Sequence, residues 1–108
     1  MRPFLLLACA LLLAACATMN VTKVPTVAKT DREAGTMRLT YWDGRWEYVT
    51  ADWALGERDV LDQCRDWGYS KYEAAGDPVT SCTSSHQDSY GGTVCDETDI
   101  YREYRCLN

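Results

Sequence analysis

The 108-residue sequence is short of basic charge, carries a single histidine and, past its N-terminus, has no long apolar run. Its 11 lysines and arginines stand against 16 aspartates and glutamates, a net charge of −5 that argues against a nucleic-acid partner, since phosphate backbones need a cationic surface. The one histidine, His86, sits in a polar stretch followed by Asp88, which is too little for the converging titratable groups an enzyme needs. Ser84, Ser85 and Ser89 lie nearby without a G-x-S-x-G elbow or a placed base, so a hydrolase built around His86 is a remote third reading. The chain has no C-x-x-C motif to lower a thiol pKa or form half of a zinc knuckle, so neither redox nor zinc chemistry is expected of its cysteines. Internal repeats and low-complexity runs are also absent, and the length leaves room for one small domain. The expectation is a protein without catalysis, metal or cofactor.

What the sequence does have begins with an address. Residues 1–15 carry a basic start at Arg2 and an apolar run from Phe4 to Ala15, the pattern of a secretory leader too short to remain as a membrane span. Leu13-Ala14-Ala15-Cys16 looks like a bacterial lipobox, which makes Cys16 the lipid-attachment residue and the mature N-terminus. Two other sites compete. Ala15-Cys16-Ala17 also fits an ordinary leader-peptidase site that would release a soluble chain from Thr18, and Leu6-Leu7-Ala8-Cys9 has too few apolar residues before it. Two or three acyl chains on Cys16, at about 0.8 kcal/mol per buried methylene, would hold the protein on its membrane permanently. Ala17, where an Asp would signal inner-membrane retention, points to the outer membrane of a Gram-negative host, with the domain facing the periplasm.

Four of the six cysteines then remain for the mature domain: Cys64, Cys82, Cys95 and Cys106. In an oxidising compartment an even number reads as two disulfides with three possible connectivities. Cys82 and Cys95 flank a polar segment with a Gly91-Gly92 turn signal, as the two ends of a hairpin would, which leaves Cys64 for Cys106. Closing the shorter and the longer loop is worth about 3 and 4 kcal/mol in the chain-entropy account.

Local patterns place these cysteines. Residues 16–35 read as a lipidated tether with an extended stretch near Val21 to Ala28, and residues 36–108 as the folded domain. Thr36 to Trp42 alternates, with Met37, Leu39 and Tyr41 on one face, and Asp43-Gly44 predicts a hairpin into Arg45 to Val49. Trp53, Val60, Leu61, Cys64 and Trp67 fall on one stripe of a helix predicted from Asp52 to Trp67, which Gly56 weakens by about 1 kcal/mol and Gly68 ends. Ser70-Lys-Tyr-Glu73 resembles a capping box for one short helical turn. Val79 to Ser84 reads as a strand, its partner as starting near Cys95 after a loop from Ser85 to Val94, and Ile100 to Leu107 as a closing alternation with Ile100, Tyr104 and Cys106 on one side. The expected fold is α+β: a small antiparallel ββαββ sheet with one helix on a face, an added N-terminal strand being allowed, and two disulfides.

The leader, the T-M-R-L-T-Y strand, Cys64-x-x-Trp67-Gly68-Tyr69-Ser70, Tyr72-Glu-Ala-Ala-Gly76, the two loop cysteines and the terminal Tyr104-x-Cys106 together resemble the YecR-like lipoprotein family. The resemblance implies a bacterial envelope location and carries no catalytic residues with it.

Acidic residues are scattered, apart from Asp96-Glu97-x-Asp99, which lacks a calcium-loop pattern and reads as a solvated strand entry. Aromatics are in excess: four tryptophans and seven tyrosines exceed what one helix on one sheet face buries. Trp53, Trp67 and Tyr104 are expected in the core. Trp42, Trp46 and Tyr48 are the candidate binding surface, with cover of the second sheet face as the competing role. The function expected is an accessory or interaction module whose partners are the membrane, through the lipid, and an envelope protein; the alternative is a peptidoglycan- or glycan-binding module using the three aromatics.

Overall fold

The computed structural model describes residues 19–108, so the leader over 1–15 and the lipid-attachment residue Cys16 lie outside the described residues. Among the described residues seven strands and one helix follow in chain order: β1 (Met19–Lys23), β2 (Thr26–Asp31), β3 (Thr36–Gly44), β4 (Glu47–Ala51), α1 (Trp53–Asp66), β5 (Lys71–Ala74), β6 (Val79–Gln87) and β7 (Thr93–Leu107). Strand β7 organises the rest. Its 15 residues pair antiparallel with β3 along one edge, and with β5 and β6 end to end along the other. β2 adds to the outer edge of β3, which completes the main sheet, while β1 and β4 form a separate parallel pair.

The helix covers one face of the main sheet. Met37 and Leu39 from β3, Ile100, Tyr104 and Cys106 from β7, and Val60 and Cys64 from α1 make the buried core. These are the residues that alternation and helical spacing bring to one side of each element. Trp53, Trp67 and Tyr72 are half-buried around it, and Tyr41 sets its ring edge-on to Trp53 at 5.7 Å. Asp52 caps α1 by accepting from the Leu55 N–H at 3.2 Å. At the other end Gly68, at φ +94°, lets the Gly68 and Tyr69 N–H groups reach the carbonyls of Arg65 and Cys64, a Schellman closure. Both disulfides form as expected, Cys64–Cys106 between helix and β7 and Cys82–Cys95 between β6 and β7.

The expected α+β class, single helix and two disulfides are therefore present, but four local expectations differ. Asp43-Gly44 makes no hairpin turn: neither residue takes a positive φ, and both stay in β3 opposite Thr98 and Glu97. Pairing with the long β7 carries β3 past the local turn signal, so the chain turns at Arg45–Trp46, and β4 pairs in parallel with β1. Ser70 to Glu73 starts no helical turn, because the Schellman closure delivers the chain beside the end of β7, where Lys71 to Ala74 pairs with Leu107 to Tyr104. The strand near Cys95 and the closing run are one strand, and the loop before it shrinks to the turn between Gln87 and Thr93. The segment read as a tether supplies both β1 and β2, with a bulge between Ala28 and Asp31.

Gly56 has a positive reason to be there. A Cβ on it would stand 2.9 Å from the Pro25 carbonyl oxygen and 3.0 Å from Leu39 Cδ1, so the missing side chain is what lets α1 cross closely over β3 and the link between β1 and β2.

Candidate functional site

The face of the main sheet opposite α1 carries a set of half-buried polar and aromatic groups around the exposed Trp42. Cross-strand pairing builds it as a grid, since directly paired residues share a face. Trp42 stands beside Asp99, Thr40 beside Tyr101 and Arg38 beside Glu103, with Thr26 of β2 next to Thr40 and Val79 of β6 next to Tyr101. Trp42 and Tyr101 are thus diagonal neighbours, roughly 7–8 Å apart by sheet geometry. Thr40 and Asp99 occupy the other diagonal, the Thr40 hydroxyl donating to Asp99 Oδ1 at 2.7 Å.

Each aromatic ring has a cation against it. The Lys23 ammonium lies 3.7 Å from the Trp42 ring centroid and the Arg38 guanidinium 4.1 Å from that of Tyr101. Both cations are also neutralised. Lys23 donates to Glu47 at 2.8 Å and to the Trp42 carbonyl at 2.6 Å, and Arg38 pairs with Glu103. The Lys23 hydrogen bond, seconded by the Gly44 N–H, holds the Glu47 carboxyl below the usual carboxylate range. A groove of about 330 Å³ opens among Lys23, Val24, Thr26, Thr40, Trp42 and Asp99, and a smaller one of about 140 Å³ continues past Arg38 and Tyr101. With Lys23 and Arg38 engaged by carboxylates and Asp99 held by the Thr40 hydroxyl, this surface suits a ligand that offers apolar faces and hydroxyl or amide donors.

The three aromatics singled out in the sequence end up in different settings. Trp42, 52% exposed, is in the groove; Trp46, 73% exposed, is in the turn before β4, with the Arg45 guanidinium 4.8 Å from its ring centroid; Tyr48, 72% exposed, projects from β4. Strand parity puts Trp42 on the face opposite Leu39 and Tyr41, whereas Trp46 lies in the turn and belongs to neither strand. Asp99 stood out only as part of the acidic run at 96–99, and Lys23, Arg38, Thr40 and Tyr101 not at all, although alternation through β7 puts Asp99, Tyr101 and Glu103 on the face away from Ile100 and Tyr104.

His86 is in strand β6 and not in a loop, and its carboxylate partner is Asp96 across the ladder, Nδ1 to Oδ2 at 2.6 Å. Arg45 approaches the same carboxylate at 3.8 Å. Asp88 instead closes the turn, its Oδ1 accepting from the N–H groups of Tyr90 and Gly92. The acidic run at 96–99 divides, Asp96 going to His86 and Asp99 to Thr40. Among the described residues no three histidines, cysteines or carboxylates gather closely enough to hold a metal ion, and no helix is long and apolar enough to cross a membrane.

A search of curated proteins returns no match. The model of the YecR-like lipoprotein family matches residues 24–107, which takes in β2 to β7, the helix and both disulfides. A lipoprotein family implies an envelope protein anchored to a membrane. On that match, the chain belongs to the YecR-like lipoprotein family.

Proposed function

We propose that the protein is a non-catalytic interaction module, lipid-anchored through Cys16 in the outer membrane and facing the periplasm, whose working surface is the sheet face opposite the helix. The observation that carries this reading is the groove itself: Trp42 stands beside Thr40 and Asp99, Tyr101 lines the groove's continuation, and Lys23 and Arg38 are already engaged by Glu47 and Glu103. The partner favoured is an envelope protein. A photo-reactive residue in place of the exposed Thr26, at the groove's rim, should yield a discrete protein adduct in cells, identified by mass spectrometry. Trp42→Ala should weaken that adduct by about tenfold, as the loss of a central aromatic contact does. Equal yields from Thr26 and from a distant exposed position such as Glu33 would remove the groove from consideration.

A second reading has its own support. Trp42 and Tyr101, at diagonal positions of the sheet around a carboxylate and a hydroxyl, suit the alternating apolar and hydroxylated faces of sugar rings. Adducts confined to peptidoglycan fragments, with binding of the purified domain to peptidoglycan lost in Trp42→Ala while the fold persists, would favour it over a protein partner.

A further inference from the structure

Two exposed aromatics outside the groove, Trp46 and Tyr48, lie at one end of the small sheet, and that end is the one tied to the N-terminus. β1 begins at Met19, three residues after Cys16, so three Cα–Cα steps of about 3.8 Å keep the start of the strand within about 11 Å of the residue read as lipidated. Because β4 runs parallel to β1, with Met19 opposite Glu47 and Asn20 opposite Tyr48, the turn that opens β4 is held at this same end. An antiparallel pairing would have sent it to the other. Met19 is 68% exposed, Trp46 73% and Tyr48 72%; among the described residues only Tyr90, on the β6–β7 turn, is a more exposed large apolar side chain.

We infer that Trp46, supported by Tyr48 and Met19, docks this end of the small sheet into the headgroup region of the bilayer that holds the lipid. The inference rests on acylation at Cys16. The chemistry suits that layer: tryptophan and tyrosine combine a broad apolar ring with a polar handle and concentrate at membrane interfaces. The interfacial layer outside the hydrocarbon core is about 5–8 Å deep on each side, within reach of residues so close to the anchored cysteine. Charges here are of mixed sign, Arg45 beside Trp46, and Glu47 neutralised by Lys23, which fits zwitterionic headgroups better than a strongly anionic surface. Docking turns a one-point tether into a surface contact and restricts how the domain is oriented.

The test uses the full-length acylated protein, purified from membranes and reconstituted in phosphatidylcholine vesicles whose acyl chains are brominated near the carbonyl. The expected result is that part of the tryptophan fluorescence is quenched, that Trp46→Phe removes most of the quenching, and that Trp42→Phe retains it. Wild-type protein that floats with the vesicles but shows no quenching overturns the docking while leaving the anchor intact. Quenching that survives Trp46→Phe also overturns it. Protein that carries no acyl mass and does not float overturns the Cys16 reading, and the docking with it.

Discussion

One strand, β7, lives in two environments, and the contrast shows where the stability of this domain resides. From Ile100 to Leu107 it lies under the helix, with Ile100, Tyr104 and Cys106 buried and Cys64 bonded to Cys106. From Thr93 to Thr98 it has no buried residue, and all nine residues of its partner β6 are exposed. Each half carries one disulfide, so the two crosslinks sit in unlike surroundings. The buried one joins elements that already share a core. The exposed one joins two strands held otherwise by their ladder, the His86–Asp96 contact and the Asp88 turn. A two-stranded ribbon without a core is marginal in water, so the Cys82–Cys95 link is what makes an arm of this segment.

The largest effect expected is from breaking the buried link. Replacing Cys64 and Cys106 together by alanine should cost about 2–5 kcal/mol in denaturant unfolding, from lost closure of the longer loop and from the space left in the core. The Cys82–Cys95 pair of replacements should act differently: amide exchange should accelerate through β6 and the first half of β7, with the helix still protected. Uniform exchange in both variants would erase the distinction between the two halves.

The next effect is at the helix crossing. Gly56→Ala gains about 1 kcal/mol of helix propensity but drives its methyl against the Pro25 carbonyl and Leu39, a backbone and a packed neighbour with no room to yield. Overpacking of this sort costs about 1–3 kcal/mol, so net destabilisation of up to about 2 kcal/mol is expected in thermal or denaturant unfolding. Added stability would show that α1 can rise off β3 at no cost.

That glycine also shows which parts of the molecule were legible in the sequence. The helix was readable because its signals are local: Val60 and Cys64 one turn apart, Asp52 at the start, Gly68 at the end. The disulfide pairing followed from the same local patterns. Gly56 itself read as a weakness, since its reason lies in Pro25 and Leu39, distant in sequence. Asp43-Gly44 misled for a related cause. The hairpin signal is local, whereas the pairing of β3 with the far end of the chain is not, and the longer ladder prevailed. The groove was the least legible element, because Lys23, Thr40 and Asp99 come from three strands and meet only once the sheet is assembled. Trp42 alone stood out as an aromatic on the unburied parity.

The smallest effect concerns the small sheet, which has no buried hydrophobic residue of its own and no disulfide to hold it. Its side-chain clasp is Lys23 with Glu47, whose carboxyl the Lys23 hydrogen bond holds below its ordinary range. A carboxylate depressed on folding adds stability that is present above its unfolded value, near 4.5, and disappears as the pH falls through the lower folded value. Protonation of Glu47 should therefore release Lys23 at acid pH, opening β1 from β4 before the helix-backed sheet unfolds. Amide exchange in β4, followed from neutral pH down to below 4, should rise earlier than exchange in α1. Glu47→Gln should raise it at neutral pH and flatten its acid dependence. If β4 and α1 lose protection together at every pH, the small sheet belongs to the same cooperative unit as the core, and the clasp is redundant with packing.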